Sequence, residues 1–551
     1  MIVKNGMMKT ALILFLCLLS GAALAGDKSF SMPKDMKALL PAQADIVLAV
    51  SSLDELDDLW REILPDSPDR DEASLSQFIE NINPEFIEYV DRDKPFLAIA
   101  NLKSIMGDSP FLITGMLALK DSDFEVSMVP GLEKFNPVRK GDYLAVSTDP
   151  DWAPAEETPA WARTVREGLL STSINLTRMV EANRMTIEMG LSMMENPDLA
   201  KNAETAEASA KLLRVMIDSI EGLDFVFNEK GDNLYKDINL RLKPGSALEP
   251  GPQPSFKDAL KMTRFLPGGE SLLTVSAYDQ SEQADLYRDY YLATMRAAME
   301  LMDPPTAERY EEWFTGYVDA LTITFAPSVM TLNVEKDNSR FLHIIKSNNA
   351  EADYNTMVNL GDTMNRFAMG LELLPIAPDP YNGHEIAGWT IIRNDTDWDN
   401  ILNREGNATL DDPLTSTGLL SILRLLPGNL YLSRVDEYLL FSGGKDSAMM
   451  EELIRRVEKG KGNVDPRLKK INKERGGHVQ YASAGDLNTL LAVIIEMTEE
   501  LSGREDIPWL SDKPLPFKQT YEFKENEYLF HLEMEKQVVQ ALIKGLMEWD
   551  W

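Results

Sequence analysis

Three aspartates at alternate positions form the clearest candidate metal site in the sequence. Asp395, Asp397 and Asp399 give a D-x-D-x-D run, and hard cations such as calcium bind clustered carboxylate oxygens. A calcium loop also needs a glycine next and a closing glutamate, but here Asn400 holds the glycine position and Glu405 falls one residue early. The run therefore predicts either a divalent cation on the three carboxylates or a turn in which Asp399 caps a short helix.

A second candidate is the glycine-rich segment S-G-G-K-D-S, residues 442–447. It resembles the S-G-G-x-D-S loop of ATP pyrophosphatases, and that resemblance implies backbone amides that bind pyrophosphate between a strand and a helix. The flanking patterns fit, since they predict a strand over 438–441 and a helix over 448–457. ATP binding at 442–447 is therefore one alternative function.

A similar turn elsewhere in the chain favours a structural role for this segment. The strand pattern Y-L-A-V-S at 143–147 matches Y-L-L-F-S at 438–442, and Asp151 then aligns with Asp446 without a gap. The turn that follows 147 has no glycine pair. The shared serine and aspartate are typical of turns and helix N-caps, so we expect such a turn at 442–447 rather than a nucleotide site.

Histidine and methionine offer weaker signals. The four histidines (His343, His384, His478 and His531) show no metal-ligand or catalytic spacing, so we expect structural or surface roles. A row of methionines at helical spacing over 174–195 predicts either a Cu(I) site, because soft thioethers suit that ion, or core packing. No histidine accompanies the row, and such rows usually fill a core. The methionines are Met179, Met185, Met189 and Met193.

An envelope hydrolase that uses paired carboxylates, with or without a metal, is the main enzymatic alternative. The sequence does not select the pair, because it contains 89 Asp and Glu residues.

Charge is placed unevenly along the chain. The 551 residues include 55 Lys and Arg against 89 Asp and Glu, a net charge of −34. This balance argues against nucleic-acid binding and against anionic membranes, because both need clustered bases. From 455 to 475, however, nine bases face three acids. Gly460, Gly462 and Pro466 predict a loop there, which is either a connector or a docking site for an acidic partner. The nine candidate partner-binding residues are Arg455, Arg456, Lys459, Lys461, Arg467, Lys469, Lys470, Lys473 and Arg475.

The N-terminus has the pattern of a secretory signal peptide over residues 1–25. Lys4 and Lys9 precede the apolar run 11–19, and A-L-A at 23–25 forms a cleavage site before Gly26. The true start is either Met1 or Met8. The single cysteine, at position 17, lies inside this segment, so the mature chain has neither disulfides nor thiolate chemistry. We expect a periplasmic or secreted protein with no membrane insertion after cleavage.

The remaining chain shows two related halves. Leu40-Pro41 precedes an apolar run at 46–50, and Leu266-Pro267 precedes another at 272–275. Alternating apolar residues predict strands at 225–227 and 238–242 near the end of the first half, and at 521–523 and 529–534 near the end of the second. A Pro/Gly-rich stretch at 246–255 predicts a linker. We interpret this order as a tandem duplication, 30–245 and 256–545, of an α+β half with a mainly antiparallel sheet and packed helices.

The recurring module is Leu-Pro, a short polar turn, an apolar strand ending in serine, and an acidic helix. In this layout the chain resembles, over most of its mature length, a widespread group of exported bacterial proteins of unknown function. The resemblance implies no chemistry, because that group has no established activity. The leading hypothesis is a non-enzymatic binding or scaffold protein of the bacterial envelope, with a protein partner or small ligand and no cofactor beyond a divalent cation.

Overall fold

The computed structural model divides the chain into two compact units. Unit 1 comprises Met1–Gly190, Ile217–Ser246 and Lys524–Trp551, and unit 2 comprises Leu191–Met216 and Ala247–Phe523. The predicted signal peptide and Asp395, Asp397 and Asp399 lie outside the described residues. Those residues are 30–63, 84–103, 111–121, 123–195, 203–250, 253–268, 272–277, 326–333, 339–364, 371–393, 427–475, 478–487 and 514–540, with a few positions between 288 and 323.

Strands and helices are numbered in chain order. The strands are β1 (Ile46–Val50), β2 (Phe96–Leu102), β3 (Phe111–Ala118), β4 (Val138–Lys140), β5 (Tyr143–Ser147), β6 (Leu170–Asn175), β7 (Ile220–Lys230), β8 (Asn233–Leu242), β9 (Leu272–Ser276), β10 (Ser328–Asn333), β11 (Arg340–Lys346), β12 (Leu371–Ile376), β13 (Ile386–Arg393), β14 (Asn429–Val435), β15 (Tyr438–Gly444), β16 (Val479–Asp486), β17 (Pro516–Lys524) and β18 (Glu527–Glu535). The helices are α1 (Lys34–Lys37), α2 (Leu53–Ile63), α3 (Pro84–Ile87), α4 (Leu176–Ala182), α5 (Arg184–Met194), α6 (Ala203–Ser219), α7 (Phe256–Met262), α8 (Ala350–Met364), α9 (Ala448–Lys459) and α10 (Pro466–Glu474).

Unit 1 is built on an antiparallel sheet in the order β4-β5-β3-β2-β1-β6-β7-β8-β18. A line of buried apolar residues crosses it, since Ala49 pairs with Leu97, Leu97 with Met116, and Met116 with Ala145. Side chains on alternate strand positions share a face. This face therefore forms the core, on which Met36 of α1 packs.

Unit 2 has its own antiparallel sheet, in the order β12-β13-β14-β15-β11-β10-β9-β16-β17. Its core line runs Val275, Val329, Ile344, Leu440, and all four side chains are buried. The apolar faces of α7, α9 and α10 cover this side of the sheet. Each face repeats at helical spacing, so one stripe of every helix meets the sheet.

These elements confirm the predicted α+β class and its antiparallel sheet. The alternating patterns do form the strands β7, β8, β17 and β18. The last strand, β18, pairs with β8 and so belongs to unit 1. No helix among the described residues has the length and apolar composition needed to cross a membrane.

The helical pattern over 174–195 forms α4 and α5 after the end of β6. Asn183 lies between the two helices, where its side chain hydrogen-bonds back to the carbonyl of Met179 (3.0 Å). One local prediction was wrong. The basic segment expected to be a loop is mostly helix. Gly460 adopts φ 59° as the C-cap of α9, and Pro466 is the first residue of α10, so both residues mark helix ends.

Candidate functional site

The predicted partner-binding residues lie on two helices and the turn between them. Arg455, Arg456 and Lys459 are on α9, Lys461 follows its C-cap, and Arg475 ends α10. The other four lie within α10: Arg467, Lys469, Lys470 and Lys473. Asp465 fixes the start of α10, because its carboxylate accepts the amide of Arg467 (2.8 Å).

Five of these nine bases bind neighbouring acids of unit 2. Both arginines of α9 contact Glu452, and the Arg456 guanidinium also donates to the carbonyl of Leu266 (3.0 Å). The pairing raises the pKa of Arg455, chiefly through its hydrogen bond to Glu452. The three pairs at α10 are Arg467–Asp465 (3.1 Å), Lys470–Glu474 (3.7 Å) and Arg475–Glu522 (3.6 Å).

The other four form what we call the lysine surface: Lys459, Lys461, Lys469 and Lys473. All four are exposed. None makes a side-chain hydrogen bond or ion pair within the part of the chain that the structure describes. Lys469 and Lys473 stand one turn apart on α10 and therefore share a face.

The first half of the glycine-rich segment 442–447 is strand, and the second half is a turn. Ser442, Gly443 and Gly444 lie within β15, where Gly443 pairs with Phe341 on one side and Leu430 on the other. A Cβ at Gly443 would lie 2.4 Å from the Phe341 ring and 2.6 Å from Pro427, so packing requires the glycine. Asp446 accepts the amide of Ala448 (3.1 Å) at the start of α9. The segment therefore ends an interior strand of the sheet and leads into the start of α9.

The histidines are dispersed. His343 of β11 packs near the ring of Phe441 (5.9 Å between centroids), and burial lowers its pKa to about 4. His384 contacts the Arg434 carbonyl (3.0 Å) and Glu458 (3.3 Å). His531 contacts Asp237, and exposed His478 lines a cavity of about 450 Å³ in unit 2. Across the described ranges, no group of three or more His, Cys, Asp or Glu could hold a metal ion.

Unit 1 contains a cavity of about 220 Å³ on the core face of its sheet. Its floor is formed by Ser173 and Asn175 of β6 and Arg241 of β8, and Asp45 stands at the start of β1. Trp161 covers it from the 3-10 helix Ala160–Arg163, where the indole Nε1 donates to the carbonyl of Pro41 (3.2 Å). The remaining lining residues are Ala44, Val47, Ala160, Thr164 and Glu221.

A buried network of charges supports this floor. The carboxylate of Asp224 is fully buried and contacts the Arg241 guanidinium. It also accepts the hydroxyl of Ser173 (2.6 Å) and Nε of Arg166 (3.3 Å). Arg166 reaches on to Glu527 (2.7 Å). Burial alone lowers the pKa of Arg166, but the carboxylates of Glu527 and Asp224 outweigh it and raise that pKa.

A glycine makes room for the arginine of the network. Gly222 pairs with Arg241 across β7 and β8, and a Cβ at Gly222 would lie 2.2 Å from Nη2 of Arg241. The guanidinium therefore lies over the position where any other residue would place a side chain. Its Nη1 is bound to Asp224, the buried Nε has no partner, and Nη2 makes no hydrogen bond among the described residues.

Each buried carboxylate in the described ranges is held by an arginine. Asp45 contacts Arg178 and accepts the amide of Leu102 (2.6 Å). The remaining pairs are Asp57–Arg92, Asp224–Arg241 and Glu522–Arg475. Such pairing neutralises buried charge, and it is typical of a structural ion pair rather than of a general acid.

Sequence reasoning did not select the residues of the unit 1 cavity. A signal was present, because Asp224 shares a face of β7 with the apolar Val226, and Arg241 stands between two leucines near the end of β8. Searches against protein-family models, curated proteins and solved structures found no match to this chain.

Proposed function

We propose that the chain is an exported binding protein that docks an acidic protein partner on the lysine surface of unit 2. The observation that carries the proposal is the contrast among its nine bases. Five are bound by acids, whereas Lys459, Lys461, Lys469 and Lys473 are exposed and bound by none in the described part of the chain.

The charge of the whole chain favours an acidic protein over a nucleic acid. A net charge of −34 repels an extended polyanion at long range. Nucleic-acid binding commonly uses about six to ten phosphate contacts, and four lysines supply fewer. A compact partner with a local acidic patch meets the lysines without approaching the rest of the acidic surface. Such complementarity steers association and sets specificity.

We further propose that the two units derive from one duplicated ancestor. The order β4-β5-β3-β2-β1-β6-β7 in unit 1 corresponds strand for strand to β14-β15-β11-β10-β9-β16-β17 in unit 2. The chain visits the strands in the same sequence in both units. The additional strands β12 and β13 lie at the edge beside β14.

Strand register gives independent support. The buried line of unit 1 runs from Ala49 to Ala145, and that of unit 2 from Val275 to Leu440. Ala49 and Val275 stand equally far beyond their Leu-Pro pairs, and Ala145 and Leu440 are each third in the matching Tyr-Leu motif. A one-residue slip in register would turn every side chain of a strand to the opposite face. The buried lines of the two units therefore agree at both ends only because the strand registers of the two units match.

Export is proposed from residues 1–25 alone. Lys4, Lys9, the apolar run and the A-L-A site are the supporting features. Expression in a Gram-negative host followed by fractionation and N-terminal sequencing tests this step. A periplasmic or secreted product that begins at Gly26 is expected, and an uncleaved cytoplasmic product would refute it.

Charge reversal tests partner binding. The purified chain is titrated with an oligoglutamate peptide, a single-stranded oligonucleotide and anionic phospholipid vesicles at low and high salt. We expect the chain to bind the peptide with an affinity that falls as salt increases. The affinity should fall about tenfold or more when Lys459, Lys461, Lys469 and Lys473 are all changed to Glu.

The matched control reverses four exposed lysines of unit 1: Lys37, Lys134, Lys140 and Lys230. Both variants lower the net charge equally. An equal loss of binding in the two variants would assign the effect to overall charge and contradict a docking surface. Tighter binding of the oligonucleotide or the vesicles than of the peptide would contradict the proposed class of partner.

A further inference from the structure

We propose that the 220 Å³ cavity of unit 1 binds a small zwitterion, a free amino acid, through Arg241, Asn175 and Glu221. This site is distinct in residues and chemistry from the lysine surface, so it stands or falls independently of partner docking. The inference rests on which polar groups of the cavity already have partners and which do not.

Two donors in the lining lack an acceptor. Nη2 of Arg241 makes no hydrogen bond within the described residues, although the side chain is nine-tenths buried. The Asn175 side chain uses its oxygen to cap α4, accepting the amide of Arg178 (3.0 Å), and its Nδ2 has no partner in the same residues. Because the Arg241 side chain is nine-tenths buried and its Nε is also without a partner in the described residues, this guanidinium favours an acceptor, and a carboxylate is the strongest one for it. Asn175 is half-buried and adds a second donor beside it.

One acceptor in the lining lacks a donor. The Glu221 carboxylate makes neither an ion pair nor a side-chain hydrogen bond in the described ranges. The other carboxylate, Asp45, is already engaged by Arg178 and by the amide of Leu102. Glu221 is exposed to solvent where it lines the cavity, and it is the lining carboxylate without a protein partner in the described residues, so it is available to an ammonium group.

The charges of the cavity lining distinguish an anion, a cation and a zwitterion as ligands. Asp45 and Arg178 neutralise each other, and Arg241 is opposed by Asp224, so Glu221 carries the uncompensated charge of the lining. A simple anion would face Glu221, and a simple cation would leave both donors unused. A zwitterion satisfies all three groups, with its carboxylate on Arg241 and Asn175 and its ammonium on Glu221.

Size and the apolar wall complete the description. Cavities for drug-sized ligands span roughly 300–1,000 Å³, so 220 Å³ suits a smaller molecule. Ala44, Val47 and the indole of Trp161 line the cavity beside the polar groups. That wall accommodates the aliphatic side chain of an amino acid and disfavours a second charge.

Calorimetric titration of the purified chain tests the inference. The probes are glycine, alanine, serine and leucine, with methylamine and acetate as single-charge comparisons, each to about 10 mM. We expect at least one amino acid to bind more tightly than either comparison. Binding of no amino acid, or binding of methylamine or acetate with equal affinity, would overturn the assignment.

Two conservative variants locate the site. Glu221→Gln removes the charge that meets the ammonium, and Asn175→Asp keeps the cap of α4 but replaces the donor with a carboxylate. Each is expected to weaken binding about tenfold or more. Glu167→Gln, at an exposed residue outside the cavity, is the matched control and should stay within about twofold. Equal weakening by Glu167→Gln would overturn the assignment.

Discussion

The two units cover corresponding parts of their sheets in different ways. In unit 1 the segment between β5 and β6 is irregular, and Trp152 and Trp161 pack from it onto the core. In unit 2 the segment between β15 and β16 forms α9 and α10, which place two apolar helix faces on the sheet. The strand beneath changes accordingly, because β6 carries Ser171 and Ser173 whereas β16 carries Ala482 and Ala484.

This difference explains where the polar sites lie. A helix with a continuous apolar stripe can close over alanines without leaving space. An irregular segment closes less completely, so the sheet beneath it keeps a cavity, and the polar side chains there must satisfy one another. Unit 1 therefore has a cavity and a network of buried charges beneath this segment. In unit 2 two apolar helix faces occupy the matching place and carry exposed lysines outside, and the cavity of about 450 Å³ lies elsewhere, beside His478 at the start of β16.

The largest predicted effect is loss of the central carboxylate of unit 1. Asp224→Asn leaves Arg241 and Arg166 without their shared counter-charge, and breaking a buried pair costs about 3–5 kcal/mol of unfolding free energy. Urea unfolding followed by fluorescence measures it. The matched change in unit 2 is Glu522→Gln, whose pair with Arg475 is longer (3.6 Å) and less buried. Equal losses of unfolding free energy in Asp224→Asn and Glu522→Gln would contradict this difference between the two units.

Acid should destabilise unit 2 through His343. Burial lowers its pKa in the folded protein from 6.5 to about 4, so the unfolded chain binds a proton that the folded chain rejects between these values. Stability attributable to His343 is therefore complete above pH 6.5, falls as the pH decreases, and is lost by pH 4. The loss is at most about 3 kcal/mol.

The register of unit 1 supplies a natural comparison for His343. His343 pairs with Phe441 on β15, and Gly115 pairs with Val146 on β5 at the equivalent place. His343→Phe keeps an aromatic side chain without a titratable group, so the pH dependence between 6.5 and 4 should become shallower. Stability measured by urea unfolding across that range checks this. An unchanged pH slope in the variant would exclude His343 as the cause.

Sequence patterns predicted the individual strands and helices better than they predicted how the strands pair. The strand β8 was predictable because Ile238, Leu240 and Leu242 alternate with polar residues, and β7 because the short apolar run at 225–227 comes just before it. The pairing of β1 with β6 was not, since those strands are distant in sequence and their contact depends on the whole sheet. The second part of the basic segment was predicted wrongly because Gly460, Gly462 and Pro466 indicated a loop. Pro466 is also typical of a first helical position, and the spacing of Leu468 and Ile471 indicates a helix.

The candidate sites show the same difference, because their residue types were predictable and their contacts were not. The bases of 455–475 were visible as a charge cluster, yet sequence could not tell the five bound bases from the four unbound lysines. The contacts depend on which bases the helices bring to the nearby acids, and Glu522 is distant in sequence. The unit 1 cavity was missed for a similar reason. Its charges, Asp224 and Arg241, become a pair only when β7 and β8 align.

A smaller effect is predicted at the glycine pair of β15. Gly443→Ala would place a Cβ 2.4 Å from Phe341 and 2.6 Å from Pro427, which costs about 1–2 kcal/mol. Gly444→Ala is the matched control, because its nearest neighbour is the sulfur of Met449 at 3.5 Å and ordinary contact suffices. In unit 1 the equivalent of Gly443 is Thr148, which bonds Ile113.

Thermal melting with and without pyrophosphate separates packing from ligand binding at this pair. Packing predicts a lower Tm for Gly443→Ala, little change for Gly444→Ala, and no stabilisation by pyrophosphate. Stabilisation by pyrophosphate that both substitutions abolish would instead favour the nucleotide-binding alternative.

The smallest effect on stability is expected from oxidation of α5. Its methionine row was expected to pack in a core, but Met185 is 86 % exposed and Met189 and Met193 are also exposed. Peroxide converts accessible methionine to sulfoxide, so these three should react before Met36 and Met116, which are fully buried in the core of unit 1. Because a sulfoxide on an exposed face breaks no packing, the unfolding free energy should change by less than about 0.5 kcal/mol. Peptide mass spectrometry gives the order in which the methionines are oxidised, and thermal melting gives the change in stability. Oxidation of Met36 or Met116 as early as the exposed methionines would show that the core of unit 1 opens more readily than its packing indicates.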